Sequence, residues 1–149
     1  MIRQATAEDR AAIQRLYEML CPGEPVRVIA SRIEEIADSP DHYLLVHVTD
    51  GKVDGSVFVS FCPDPMFGTL PYTVVENLIV DTEAQQRGIG RSLMHRVEEL
   101  GREHSSTKIM LQSQRSREGV QTFFAGLGYD SDHTFGYKKV LGDKREPSF

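Results

Sequence analysis

The sequence predicts a mixed α/β fold: a single domain, residues 1–149, on a sheet of six or seven strands flanked by four helices. Three observations carry that expectation. The second half of the chain alternates strand, helix, strand, helix, which requires parallel pairing through crossover connections. The first half holds two β-rich runs joined by Asp50-Gly51, a strong hairpin signal and so an antiparallel pair. With 149 residues, 40% hydrophobic and 26% charged, the chain suits one ordinary core and lies far from disordered compositions. No apolar run approaches the roughly 18 residues that span a bilayer. Cys21 and Cys62 fit no metal spacing or disulfide framework, and no charged-then-apolar leader opens the chain, so a reducing cytoplasm is the expected compartment. Lys plus Arg is 17 against 22 for Asp plus Glu, a net charge of −5. That balance argues against sequence-independent binding to nucleic acid or anionic membrane and leans toward a cationic small substrate.

The elements follow in order. Ile2 to Ala5 read as a short strand, and Thr6 with Asp9 three residues on forms a capping box that starts a helix. Ile13, Leu16, Tyr17 and Leu20 recur at helical spacing until Pro22-Gly23. Val26, Ile29, Ile33 and Ile36 give a second helix that stops before Pro40. Tyr43–Val48 and Val53–Phe61 are the hairpin strands, with Gly55 marking a bulge. The stretch from Cys62 to Tyr72 holds three prolines and a glycine and reads as a loop of the length that lines sites. Thr73 to Val80 is a buried central strand interrupted only by Glu76 and Asn77. Ile89, Leu93, Val97 and Leu100 define a third helix, Lys108–Leu111 a short strand, and Val120, Phe123, Phe124 and Leu127 a fourth helix. A last strand or pair follows from Tyr129, chiefly Phe135–Leu141, before a polar tail over residues 142–149.

The most informative segment is Gln85-Gln86-Arg87-Gly88-Ile89-Gly90, between the apolar strand and the third helix. Helix N-termini present unpaired amides and partial positive charge, and glycine lets a phosphate approach the backbone, so this turn is an anion site. It is not a P-loop, because Gly90 is followed by Arg91 and Ser92 rather than Lys and Ser or Thr. Nor is it a dinucleotide fingerprint, since Leu93 stands where the third glycine belongs. The strand end Glu76-Asn77-Leu78-Ile79-Val80-Asp81, then Gln85-x-x-Gly88-x-Gly90, then Phe123-Phe124-Ala125-Gly126-Leu127-Gly128-Tyr129 resembles the GNAT superfamily of acyl-CoA-dependent N-acetyltransferases. Element order extends that resemblance over nearly the whole chain. Ser113-Gln114-Arg115-Ser116-Arg117-Glu118 is similar to a region of the small-amine branch that includes aminoalkylphosphonate enzymes.

The resemblance implies acetyl-CoA as co-substrate, with no metal, and central strands that splay to admit it. Leu78, Ile79 and Val80 would pair with the pantetheine arm. Gln85, Gln86, Arg87, Gly88, Ile89, Gly90, Arg91 and Ser92 would hold the pyrophosphate. Arg117 stands where the family often has Asn and would supply a cation for a phosphate or an acidic substrate group. Phe123 joins the cofactor set from a helix face whose ordinary use is packing. Arg87, Arg91, Arg115 and Arg117 together make a basic cofactor edge.

Acetylating an amine needs a base, because an alkyl amine is protonated near pH 7. Glu76 fits that role: it alternates with Val74, Leu78 and Val80, which places a carboxylate on an apolar face, where desolvation lifts its pKa toward working pH. A strand-end amide near Leu78 would stabilise the oxyanion. The family's thiolate-protonating tyrosine is replaced by Phe124, which leaves Tyr137, Tyr129 or water for that step. Met66, Phe67 and Tyr72 are the expected substrate wall. The five histidines show no metal spacing, and Cys62 reads as a half-buried free thiol. The expected partner is a small-molecule primary amine, with a homodimer invited by an exposed closing strand. Two other readings stand beside this one: a non-catalytic acyl-CoA-binding or regulatory domain, and a protein or peptide N-acetyltransferase.

Overall fold

One carboxylate locks the start of the chain together. Asp9 accepts hydrogen bonds from Arg3 Nη1 and Nη2 at 2.7 and 3.0 Å and from the Thr6 amide at 2.8 Å. The capping box thus forms as expected and ties strand β1 (Ile2–Gln4) to a 3-10 turn, Ala7–Asp9, that leads into helix α1 (Arg10–Leu20). The computed structural model describes residues 1–114 and 117–144. They fall into two compact units, Met1–Leu111 and Gln112–Phe149.

In the first unit α1 is followed by helix α2 (Ala30–Asp38), which leaves Val26 in the connection, and then by strands β2 (His42–Thr49) and β3 (Lys52–Pro63). Asp50 and Gly51 both take positive φ, 49° and 76°, as a tight two-residue hairpin turn requires. The β2–β3 register slips between His47 and Val48, so Asp54 is an extra residue beside Gly55, where a bulge was expected. Strand β4 (Pro71–Val80) comes next, then helix α3 (Ile89–Glu103) and strand β5 (Ile109–Leu111). The sheet order is β1-β2-β3-β4-β5, antiparallel except for the β4–β5 pair, which is parallel across α3.

The mixed α/β class and four helices match the sequence expectation. The strand count is five among the described residues, not six or seven. The difference lies in the second unit, which contains helix α4 (Val120–Gly126) and no strand over Phe135–Leu141. Gly136 and the paired Lys138 and Lys139 interrupt the alternation there, and Phe135, Tyr137 and Leu141 stay exposed. The loop from Cys62 to Tyr72 is also shorter than predicted. Cys62 and Tyr72 are cross-strand partners, and only the turn around the 3-10 segment Pro65–Phe67 separates β3 from β4. Residues near the turn pair despite Pro63 and Pro71, which sit at the hairpin's end.

The sheet has two unlike faces. On one, α1 and α2 bury Ile13, Leu16, Ile33, Leu44, Val46, Val53 and Ile79 in a single cluster. On the other lies α3, whose Leu93, Met94, Val97 and Leu100 are buried. At its far end the cap residue His104 stacks on Phe61, with centroids 3.9 Å apart. At the near end α3 approaches β3 closely at Gly55. A Cβ there would lie 2.9 Å from Ile89 Cγ2 and 3.2 Å from Leu93 Cδ1. Gly55→Val should therefore overpack this junction and cost about 1–3 kcal/mol, read as a lower urea midpoint at unchanged m-value. A midpoint within error of wild type would show that the first turn of α3 can retreat without loss.

Candidate active site

The centre of the site is the second half of β4. Its pairing with β5 ends at Val75 opposite Leu111, whereas its pairing with β3 continues to Val80 opposite Gly55. Glu76 to Val80 therefore have no strand partner on the β5 side among the described residues, at the place where the family resemblance implies that the strands splay. Backbone groups on that edge are available to an extended ligand.

A bulge in the same stretch corrects one expectation. The β3–β4 register shifts between Ser56 and Phe58, and Asn77, at φ 57°, stands out of the ladder. Opposed residues share a face. Glu76 pairs with Phe58 and Ile79 with Ser56, so Glu76 and Ile79 both lie on the α1 face, and Leu78 and Val80 take the other. Counting by twos through Asn77 had placed Glu76 with Leu78 and Val80. Glu76 is also exposed rather than buried, so the desolvated apolar setting expected for it is absent.

The bulge is held from α1. Burial pushes the Tyr17 phenol up to about 12, opposed by the polar side chains of Asn77 and Ser56 beside it. Sequence reasoning placed Tyr17 only in an apolar stripe. Those polar neighbours are some 40 to 60 positions away and leave no local signal.

The end of β4 is anchored by Asp81, 1% exposed. Its Oδ1 accepts the Glu83 amide at 3.0 Å, its Oδ2 lies 2.7 Å from Arg15 Nη1 of α1, and its own amide donates to the Asp54 carbonyl at 2.8 Å. The Glu83 amide first, then Arg15, hold the Asp81 carboxyl below the usual carboxylate range. Asp54 is buried as well, with His47 Nδ1 2.6 Å from its Oδ1. This network fixes where β4 stops and the 3-10 turn Thr82–Ala84 begins.

From that anchor the chain enters the glycine turn. Gln86 and Gly88 adopt φ of 65° and 79°, and Gly88 caps α3 by accepting the Ser92 amide at 3.0 Å. The first helical amides, at Ile89, Gly90 and Arg91, have no intrahelical acceptor. Arg87, Arg91 and Ser92 are exposed, while buried Ile89 seats the turn against Gly55. A Cβ at Gly88 would meet no heavy atom within 4 Å, so space stands open where a phosphate would approach. The residues present fit a pyrophosphate cradle.

The structure places the other predicted residues as follows. Tyr72, Val74 and Glu76 alternate along β4 on one face, and Tyr72 lies opposite Cys62, whose proximity raises the Tyr72 phenol. Met66 and Phe67 are exposed in the β3–β4 turn, and the strand from Pro71 to Glu76 alone spans about 16 Å. In the second unit, the exposed Arg117 donates its amide to the Gln114 carbonyl at 3.2 Å. Phe123 sits edge-on to Phe124 with centroids 5.0 Å apart, and Phe124 contacts the Tyr129 ring at 5.7 Å. Tyr137 is 87% exposed. Arg115 and Ser116 of the arginine-bearing segment lie outside the described residues. Among the described residues no helix is long and apolar enough to cross a membrane, and no three His, Cys, Asp or Glu side chains are grouped to hold a metal.

Comparison with known proteins bears on the same residues. The family model for acetyltransferase (GNAT) matches residues 13–129. An uncharacterized N-acetyltransferase in the pepI 3′ region of Lactobacillus delbrueckii subsp. lactis is 35% identical over 77 residues, a match taking in 50% of this chain and 42% of that relative. The chain thus aligns with less than half of that relative's length. Among solved structures, a transcriptional regulator from Bacillus halodurans C-125 superposes with a TM-score of 0.81 at 20% identity, covering 95% of this chain and 99% of that one. AAC(6′)-Iy, in complex with the bisubstrate analogue CoA-S-monomethyl-acetylneamine, superposes at 0.76 and 22% identity, covering 95% and 98%. At these identities the structural likeness establishes the fold.

Asp81→Asn should lower stability at pH 7 by about 1.5–3 kcal/mol, since the charge-assisted bond to Arg15 is lost while the Glu83 amide keeps an acceptor. A depressed carboxyl stabilises above its unfolded pKa, about 3.9, and that contribution disappears as pH falls through the folded value. The gap between wild type and Asp81→Asn in urea melts should therefore close below about pH 4. A gap that stays constant down to pH 2 would show that the carboxylate charge is not its source.

Proposed function

Because the chain belongs to the acetyltransferase (GNAT) family, we propose that it transfers an acetyl group from acetyl-CoA to a primary amine of a small molecule. The observation that carries this reading is the half of β4 that, among the described residues, pairs with β3 alone and runs directly into the glycine-capped N-terminus of α3. An extended, amide-bearing arm suits the free edge at Leu78, Ile79 and Val80. Two phosphates suit the amides and arginines from Gln85 to Ser92. The structural neighbour with a CoA-containing bisubstrate analogue supports the same co-substrate.

Acetyl-CoA supplies the acyl thioester. In this reading the amine nitrogen attacks the thioester carbonyl carbon, the new C–N bond forms as the C–S bond breaks, and the amine gives up its proton. Glu76 is the acceptor for that proton, directly or through water, and its exposure lets solvent carry the proton away. The bulge takes Asn77 and Leu78 out of the β3 ladder and so frees strand amides to face the carbonyl oxygen as negative charge develops there. Coenzyme A leaves as a thiolate and takes a proton from solvent. A thiol pKa of about 8.5 makes that departure tolerable with phenylalanine at Phe124.

Two variants separate binding from chemistry. Glu76→Gln should lower kcat/KM for the amine by about 10²–10⁴ while the Kd for acetyl-CoA stays within about twofold, measured by steady-state kinetics and calorimetry. Retention of full turnover would remove Glu76 from the reaction. Gly88→Glu, which puts a carboxylate and a strained left-handed residue at the phosphate position, should weaken acetyl-CoA at least about tenfold, whereas Gly88→Asn tolerates that backbone and should bind more tightly than the Glu variant. Acetyl-CoA binding left intact by Gly88→Glu would overturn the pyrophosphate assignment. Acetyl-CoA binding without turnover on any amine would favour a non-catalytic acyl-CoA-binding protein.

A further inference from the structure

Helices α1 and α2 cover only one end of the sheet face they pack on. Leu44, Val46 and Ser56 are buried beneath them. Toward the other end of the same strands, His42, Phe58, Ser60 and Val74 are only half-buried and Glu76 is exposed. Register places these residues on one face: His42 opposite Ser60, Ser60 opposite Val74, and Phe58 opposite Glu76. On the opposite face Val57, Val59, Phe61, Thr73 and Val75 are all buried, so the strip, whose Phe58 still packs against the edge of the α1–α2 cluster, is a partly covered part of the sheet's middle and not a frayed edge.

What lies on the strip has a definite chemical order. His42 Nδ1 is 3.0 Å from Ser60 Oγ, which orients the imidazole and leaves Nε2 as the ring nitrogen for a ligand. The same ring stacks on Phe58, with centroids 5.9 Å apart and planes 27° apart. Phe58 is in turn the direct cross-strand neighbour of Glu76, at a Cβ separation of about 5 Å for such pairs. Across three strands the face thus presents a hydrogen-bonding pair, an aromatic surface and a carboxylate. His42 and Glu76 are two strand spacings across and two residues along the strands, about 12 Å, apart.

We propose that this strip is the acceptor platform and that His42 sets its specificity. Glu76 faces the reacting amine, Phe58 packs against the carbon skeleton or a cationic group, and His42, held by Ser60, binds a second polar group of the same molecule. The substrate class is then a primary amine with a further amine or hydroxyl about 12 Å away. The assignment rests on the acetyl-transfer reading above for the identity of the reaction, and His42 takes no part in the chemistry itself.

The test uses the full chain with acetyl-CoA and three probes: spermidine and neamine, which carry a second polar group, and butylamine, which does not. Wild type should show a KM at least about tenfold lower for spermidine or neamine than for butylamine. His42→Gln and His42→Ala should raise the KM for the favoured probe about tenfold, leave its kcat and the KM for acetyl-CoA within about twofold, and leave butylamine unchanged. The proposal is overturned if the His42 variants shift all three amines together, shift none, or shift acetyl-CoA alike. If no amine is acetylated although acetyl-CoA binds, the acetyl-transfer reading is what fails. In that case the platform is judged by NMR: spermidine or neamine must perturb the His42 ring resonances where butylamine does not, and the absence of such a difference overturns it.

Discussion

Every backbone amide and carbonyl taken out of a β-ladder has to be satisfied by something else, and the second half of β4 is where this protein leaves them. From Thr73 to Val75 the strand has partners on both sides; from Glu76, among the described residues, it has β3 alone. Such an edge is tolerable only if the strand cannot wander, and the surrounding contacts supply that constraint. Tyr17 reaches from α1 to the bulge residue Asn77, and Arg15, two positions earlier on the same helix, holds Asp81 just past the strand's end. Gly55 lets α3 press against β3 directly opposite Val80. The open edge and the glycine turn are thus fixed from three directions while their polar groups stay available.

Much of this was legible in the sequence. The Thr6–Asp9 box, the Asp50-Gly51 hairpin, the apolar stripes of α1 and α3 and the Gly88 turn are local patterns, and each appears where its spacing placed it. The errors share a physical origin. Alternation along β4 was counted through Asn77, but a residue at positive φ breaks the period of two, and nothing local marks which polar residue will do so. The stretch from Cys62 to Tyr72 read as loop because of its prolines, yet two of its residues on each strand pair, Cys62 with Tyr72 and Pro63 with Pro71, since an edge-tolerant proline at a hairpin end costs little. Phe135–Leu141 has strand-like composition, and composition cannot report whether a partner strand is there to receive it.

The buried polar network lay beyond reach for a different reason. Arg15 and Asp81 are 66 positions apart, and His47 pairs with Asp54 only because a bulge turns both toward one place. Asp81 could be read as a residue after a strand, and Arg15 as a charge on a helix flank. Their partnership exists only in three dimensions, where α1 crosses the end of β4. Candidate chemistry was more visible than its supports, because a glycine turn advertises itself in sequence and the residues that hold it still do not.

The half-covered face of the sheet also has a thermodynamic side. Each square ångström of apolar surface left in water forgoes about 25 cal/mol of stabilisation, so the strip around Phe58 is burial that the unliganded fold does without. A molecule that seats there binds the folded chain and not the unfolded one, and mass action then raises the folded population with its concentration. Occupancy and stability are coupled through the same few side chains, and the resistance of the chain to unfolding becomes a measure of what its open face holds.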